Sequence, residues 1–290
     1  MDQSALYKYI PFLAPSLPDS GSLQSKRQSC FENGEIWYPQ ANKLNDPFDC
    51  KPNFVLPFSD EEKLEDVVNS LSKYELKVIE LRTGIPSKKT LLEVLKTPDA
   101  MNLKRFPSGG GAIPVNFIHQ PVFIGALSAI FSVSLSSIGV LSLSEDPLNL
   151  RMWAHYGGNS TGICLEFQRT NENSLGTANT RKVNYVKTRP KILLHQRHEN
   201  IKEIITTKSY LWEHEKEWRN IKPEGDKPYP FPGKVQKIFF GLNTCIETKK
   251  LIKNIFGPDV EYEEISLGSD FSLRTDCGST HAISQIEIEW

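Results

Sequence analysis

The chain has 290 residues, 34 of them basic and 35 acidic, and 39% of it is apolar. A chain of this length buries roughly three quarters of its unfolded surface, so it needs neither disulfides nor a metal to hold a core. The formal net charge of -1 argues against a broad nucleic-acid or membrane-surface footprint and leaves room only for a local basic patch.

The first twelve residues, MDQSALYKYIPF, lack the basic-then-apolar layout of a signal peptide. The longest apolar stretch runs over 121–133, short of the ~20 residues a membrane helix needs. Cys30, Cys50, Cys164, Cys245 and Cys277 are odd in number and widely spread. None shows Cys-x-x-Cys or zinc spacing, so free thiols in a reducing compartment and no metal are expected. These features predict a cytoplasmic protein with no membrane partner.

In chain order, residues 5–10 read as a first strand that Pro11 ends, and 14–30 have room for a short helix. Asn33-Gly34 makes a turn into a second strand, 35–38, which Pro39 stops. Ser59-Asp-Glu-Glu62 is a capping-box start. Leu64, Val67, Leu71, Tyr74, Val78 and Leu81 follow at steps of three and four, which predicts one helix with an apolar face. Ser87 caps a shorter helix through Lys96. The glycine run at 107–114 lacks a Gly-Lys-Ser/Thr ending and reads as a linker. Residues 53–136 are therefore expected to form a mostly helical insertion in a single domain spanning 1–290.

The second half alternates without a strict strand–helix rhythm. Strands are expected at 138–144, 162–167, 183–186, 215–221, 235–240 and 260–266, with two more short ones in the tail. Asp146-Pro147 opens a helix that Gly157-Gly158 stops. Further helices are expected at 191–212 and 247–256. The predicted class is α+β, with a mixed, mainly antiparallel sheet and flanking helices.

Four segments carry candidate chemistry. On a strand at 215–221, Glu215, Glu217 and Arg219 share one face about 6–7 Å apart along it. Neighbours of both signs tune a carboxylate, so such a row suits an acid, a base or a hydroxyl clamp, and equally a solvated edge of ordinary ion pairs. In Asn45-Asp46-Pro47-Phe48-Asp49, Pro47 stiffens a turn. Either Phe48 plugs the core, or the loop presents Asn45 or Asp46 to a ligand. Met152, Trp153 and Tyr156 form one helical stripe with His155 at its edge, a core stripe or a pocket wall. Lys8, between Tyr7 and Tyr9, falls on the apolar side of the first strand and must reach a carboxylate, a ligand or solvent.

LYKY, GEIWYPQANKLNDPFDC, LSLSEDPLNLRMWAHYGGNSTGICLEF, KSYLWEHEKEWR and KIFFGLN occur in this order over about residues 5–265. Together they resemble the bacterial family called domain of unknown function 2971. Families of this kind are similar to accessory proteins of bacterial defence and toxin systems.

A looser similarity, in layout alone, is to NAD-dependent ADP-ribosyltransferases. It implies NAD as cofactor and a macromolecular acceptor, protein or nucleic acid. Glu217 matches the late catalytic glutamate, with Glu215 before it and His155 as a further catalytic candidate. Lys8, Tyr9, Tyr38, Asn45, Asp46, Tyr156 and Arg219 are the candidates for holding NAD. The sequence departs from that layout at Lys8 and Tyr9, where such enzymes carry Arg or His, and at Tyr38-Pro39, where they carry Ser-Thr-Ser. The alternatives are a metal-independent nuclease using His155, Glu217 and Arg219, and a non-catalytic sensor or partner-binding protein. The sequence leaves the acceptor and the oligomeric state open.

Overall fold

The computed structural model describes residues 5–14, 16–17, 22–51, 53–55, 61–96, 135, 137–193, 196 and 199–275. The glycine run, the apolar run at 121–133, the Ser59 cap, Cys277 and the end of the tail lie outside the described residues. The chain is α+β. Its first half contains β1 (Leu6–Ile10), α1 (Ser22–Glu32), β2 (Glu35–Tyr38), β3 (Asn53–Val55), α2 (Glu61–Asn69), α3 (Lys73–Thr83), α4 (Lys88–Leu95) and β4 (Gly139–Ser144). Next come α5 (Leu150–Tyr156), β5 (Ile163–Phe167), β6 (Thr180–Lys182), β7 (Asn184–Val186), β8 (Lys191–Leu193), α6 (Ile201–Ile205) and β9 (Thr207–Ser209). The last elements are β10 (Glu217–Lys222), β11 (Lys227–Pro230), β12 (Val235–Phe240), α7 (Ile246–Phe256), β13 (Glu261–Leu267) and β14 (Leu273–Thr275).

Eight strands form one mixed sheet in the order β14-β13-β12-β5-β1-β4-β10-β6. Only β12 and β13 run parallel in it, joined by α7, as a parallel pair requires a crossover. Along one face Leu6, Ile10, Leu141, Leu165 and Phe240 bury against Phe31 of α1 and Ile252 of α7. Along the other, Tyr9, Cys164 and Phe239 meet Met152 and Trp153 of α5. A further core joins α2, α3 and α4 to Val140, Ile204 and Ile205.

β1 and β5 pair along their whole lengths, whereas β1 and β4 pair only at Tyr7 and Ser144. Beyond that point Lys8 Nζ, rather than a backbone N–H, donates to the Ser142 carbonyl at 2.9 Å. The sheet is therefore split between these two strands.

Several expected elements differ from the structure. The helix expected across 59–83 is interrupted at Ser70-Leu71-Ser72, because Ser72 and Glu75 form their own capping box. The restart shifts the register, so Leu64, Val67 and Leu71 are buried while Tyr74 and Leu81 are exposed. The helix expected at 191–212 is instead β8, α6, β9 and a 3-10 turn at Tyr210–Glu215. Thr206 Oγ1 donates to the Lys202 carbonyl and ends α6, and the chain then pairs in parallel with β7. The helix at 150–156 is capped by Asn149 rather than Asp146.

Trp153 is fully buried. Its Nε1 donates to the Pro147 carbonyl at 2.8 Å, and Tyr9 meets it edge-on at 5.1 Å. A Cβ at Gly157 would sit 2.6 Å from the Trp153 ring, so this glycine lets the chain turn against the indole. Trp218 opposes the charged face of its strand, which predicts burial, but it is only half-buried. It stacks under Arg169 at 4.2 Å and donates to Glu145. Trp153→Ala should cost about 3–5 kcal/mol, as large-to-small core changes do, and Trp218→Ala clearly less. Urea melts of the two variants check this, and equal losses would contradict the burial of the two rings.

Candidate functional site

The charged row around Glu217 is buried. Glu215 is 2% exposed, Glu217 3% and Arg219 0%. Glu217, Arg219 and Ile221 share a face of β10, as alternation requires. Glu215 is not on that strand. It ends the 3-10 turn, and Lys216 follows with φ 47°, a left-handed conformation that costs a non-glycine residue roughly 1–2 kcal/mol. That kink aims both carboxylates at the same cation. Lys208 Nζ of β9 donates to Glu215 Oε2 at 2.5 Å and to Glu217 Oε2 at 3.1 Å.

Arg219 grips two carboxylates at once. Its Nη1 and Nη2 donate to Asp49 Oδ1 and Oδ2 at 2.8 and 2.6 Å. Its Nε and Nη2 donate to Glu217 Oε1 and Oε2 at 2.8 and 3.0 Å, and Nη1 also donates to the Ile205 carbonyl. Such forked, charge-assisted pairs are the geometry guanidinium is suited to.

The loop that carries Asp49 is shaped by Asp46. Asp46 Oδ1 accepts the Phe48 N–H at 2.9 Å, a side-chain turn typical of Asp. The turn inverts the expectation for Phe48: its ring is 60% exposed, while Asp46 and Asp49 are buried. Asp46 Oδ2 is buried without a hydrogen-bond partner among the described residues.

From the other end of that loop, Asn45 Nδ2 donates to the Tyr156 hydroxyl at 2.7 Å, and Tyr156 donates to Glu215 Oε1 at 2.6 Å. Asn45, Tyr156, Glu215, Lys208, Glu217, Arg219 and Asp49 thus form one continuous relay that begins and ends in a single loop.

Burial pushes the Glu217 carboxyl up, but the Arg219 and Lys208 charges outweigh it and hold it down at about 2. The Ser142 hydroxyl supports the same ionised form. Burial pulls Lys208 down, and Glu217 and Glu215 more than reverse it. Lys8 lacks so close a partner, and burial draws its ammonium down to about 8 against the pull of Glu217. Burial and then the Glu215 carboxylate raise the Tyr156 phenol above its ordinary value.

A cleft of about 200 Å³ opens at the split in the sheet. Of the catalytic and NAD-holding candidates, Lys8, Tyr9, Asn45, Tyr156, Glu215 and Glu217 line it, and Met152 of the helical stripe does too. Arg219 lies behind Glu217, and Asp46 lies in the turn and does not line the cleft. Tyr38 is fully buried, with its hydroxyl donating to Asn220 Oδ1 at 2.8 Å on the opposite face of β10. His155 is exposed and meets Trp212 edge-on at 6.5 Å, so it too stands outside the cleft. Among the described residues no group of three or more His, Cys, Asp or Glu is placed to hold a metal, and no helix is long and apolar enough to cross a membrane.

Asp49 and Lys208 went unnoticed in the sequence. Both stand inside the segments quoted there, Asp49 closing NDPFD and Lys208 opening KSYLWEHEKEWR. A buried row of carboxylates demands cations nearby, and that demand is the signal that points to Lys208.

Residues 152–220 match a family described as Protein of unknown function (DUF2971). That stretch supports the resemblance read from the sequence, and it holds Tyr156, Lys208, Glu215, Glu217 and Arg219. No curated protein and no solved structure matches the chain.

Glu217 and Lys8 act with opposite sign at neutral pH, the one stabilising and the other destabilising, yet both make stability rise with pH. The folded pKa of Glu217, about 2, lies below the ordinary 4.5. Its stabilisation is complete above the ordinary value and is lost as pH falls from 4.5 toward 2. Lys8 is also depressed, from 10.5 to about 8, but it is a cation. Its buried charge costs stability below pH 8, and stability recovers as pH rises from 8 to 10.5. Urea midpoints measured across pH should show both slopes. Glu217→Gln should flatten the acid limb and cost roughly 3–5 kcal/mol at neutral pH, because Arg219 and Lys208 lose a shared partner. Lys8→Met should remove the alkaline rise.

Proposed function

We propose that the cleft is the catalytic site of an ADP-ribosyltransferase-like enzyme that cleaves NAD and passes ADP-ribose to a macromolecular acceptor. The observation that carries this reading is the meeting of Lys8 from the first strand and Glu217 from a late strand in one cleft, where the sheet splits. In this reading the bond between nicotinamide and the ribose C1′ breaks heterolytically. Nicotinamide leaves with the bonding pair, and positive charge develops on the ribose. The acceptor supplies the electron pair for the new bond to C1′ and gives up its proton to a carboxylate. Glu217 is held ionised by Arg219 and Lys208, so its charge needs no reorganisation as the ribose cation forms. Glu215 and the Tyr156 hydroxyl stand nearer the loop side, where they suit a ribose hydroxyl or the proton of the acceptor.

A second reading, a non-catalytic binding module, draws on one observation. Both Glu217 oxygens already accept from Arg219 or Lys208, as in a network that only orders the fold. The nuclease reading has less support, because its base, His155, does not line the cleft.

Label transfer and nicotinamide release from labelled NAD in cell extract test the proposal. Glu217→Gln should lower turnover by ~10²-fold or more, the scale of losing a preorganised electrostatic group. Circular dichroism at the assay temperature must show the variant folded. Glu215→Gln and Tyr156→Phe should cost less. No nicotinamide release by the wild type with any extract would discard the transferase and leave the binding module.

A further inference from the structure

Three lysines line the cleft at the split in the sheet, Lys8, Lys43 and Lys208, and they stand in different company. Lys208 is held by Glu215 and Glu217, and Lys43 pairs with Asp226. Lys8 is the exception. Among the described residues no carboxylate pairs with it, and its one hydrogen bond goes to the Ser142 carbonyl at 2.9 Å. The carboxylates of the cleft are already taken. Glu215 accepts from Lys208 and Tyr156, Glu217 from Lys208 and Arg219, and Asp49 from Arg219.

That company decides what Lys8 can do. A carboxylate partner would hold the proton on a lysine. A carbonyl accepts from a neutral amine as well as from an ammonium, so Lys8 keeps its place when it loses a proton. Its nitrogen then carries a free electron pair in the wall of the cleft, and the side chain is only half-buried. Burial brings the ammonium down to about 8. Glu217, Cys164 of β5 and Glu215 oppose that fall, and Arg27 of α1 adds to it. A lysine desolvated in this way is a nucleophile toward carbonyl compounds. The cleft holds about 200 Å³, less than the ~300 Å³ at which pockets for drug-sized molecules begin, so the ligand is short. The Asn45 amide, the Tyr156 hydroxyl and the Glu215 carboxylate line the same space, and all three are partners for hydroxyl groups.

We propose that Lys8 is a nucleophile that forms a Schiff base with a short hydroxy-aldehyde in this cleft. The ammonium gives up one proton, and the nitrogen pair makes the new bond to the carbonyl carbon. The carbonyl π pair moves to the oxygen, which leaves as water with two protons that began on the nitrogen. The product is an iminium. It keeps one N–H for the Ser142 carbonyl, and its positive charge lies in the field of Glu217. The step uses neither NAD nor a macromolecular acceptor, so it does not rest on the transferase reading.

Reductive trapping tests it. The wild type is incubated with glyceraldehyde and cyanoborohydride, and the modified lysines are located by peptide mass spectrometry. A fall from 10.5 to about 8 raises the neutral amine near pH 7 by more than about a hundredfold. The weaker basicity gives part of that back, so Lys8 should be labelled at least about tenfold faster than Lys43, an ion-paired lysine of the same cleft. The Lys8 rate should level off above about pH 8. With propanal, which has the same chain length and no hydroxyls, the preference for Lys8 over Lys43 should fall several-fold. Tyr156→Phe should narrow the preference for glyceraldehyde in the same direction. Equal labelling of Lys8 and Lys43, or a Lys8 rate still climbing at about pH 10 as for an ordinary lysine, would overturn the nucleophile. An undiminished preference with propanal would overturn the hydroxy-aldehyde class. Trapping is measured without NAD and nicotinamide release without aldehyde, so a failure of one reading leaves the other standing.

Discussion

Arg219 is the constraint on which the rest of the site depends. Its guanidinium is fully buried and spreads its donors over Glu217 of its own strand, Asp49 of a distant loop and the carbonyl that ends α6. A buried charge costs several kcal/mol in desolvation, which only near-complete hydrogen bonding offsets. The fork therefore fixes three segments with little freedom to shift. If the loop moved away, a guanidinium would lose a carboxylate in a space where water cannot replace it.

The split in the sheet follows from the same polar logic. A regular ladder would have consumed the Ser142 carbonyl with a backbone N–H of β1. Lys8 takes that carbonyl instead. It is thus satisfied by a side chain, so the opening does not orphan it. Both faces of the sheet keep their aromatic and aliphatic cores around it. The cleft is a local departure inside an otherwise well-paired sheet, lined by β1, β4 and β10 and by the loop around Asn45 and the helix α5.

Much of this was legible in the sequence, and the failures have physical causes. Strands at 35–38, 163–167 and 235–240 and the helix at 246–256 carry their own punctuation in Pro, Gly or alternation, and they stand where expected. The segment 191–212 failed because Ile201, Ile204 and Ile205 have helical spacing for barely more than one turn, after which Thr206 and Thr207 favour extension. The charged row was read as a strand face, which holds for Glu217 and Arg219. Glu215 reaches the same cation through a left-handed Lys216, and no periodicity reports a single backbone kink. Phe48 was weighed as a core plug because apolar residues are usually inside. The capacity of Asp46 to bond the Phe48 N–H, together with the pull of Arg219 on Asp49, turned the loop the other way.

The relay is not uniform from end to end, and its gradient bears on what it is for. At the Arg219 end every oxygen of Asp49 and Glu217 has a cationic donor. At the other end Glu215 accepts from a neutral phenol, Tyr156 is only half-buried, and Asn45 is exposed. A network kept for stability alone gains nothing from such an opening, since apolar packing of equal volume often does as well as buried ion pairs. The saturated end keeps the charge of Glu217 fixed and costly to displace. The open end places hydrogen-bonding groups that can exchange partners without stranding a buried ion. A ligand entering the cleft would meet Asn45 and Tyr156 first, and would feel Glu217 as a field rather than as a bonding partner. That division assigns direct contact to the loop side and electrostatic work to the strand side.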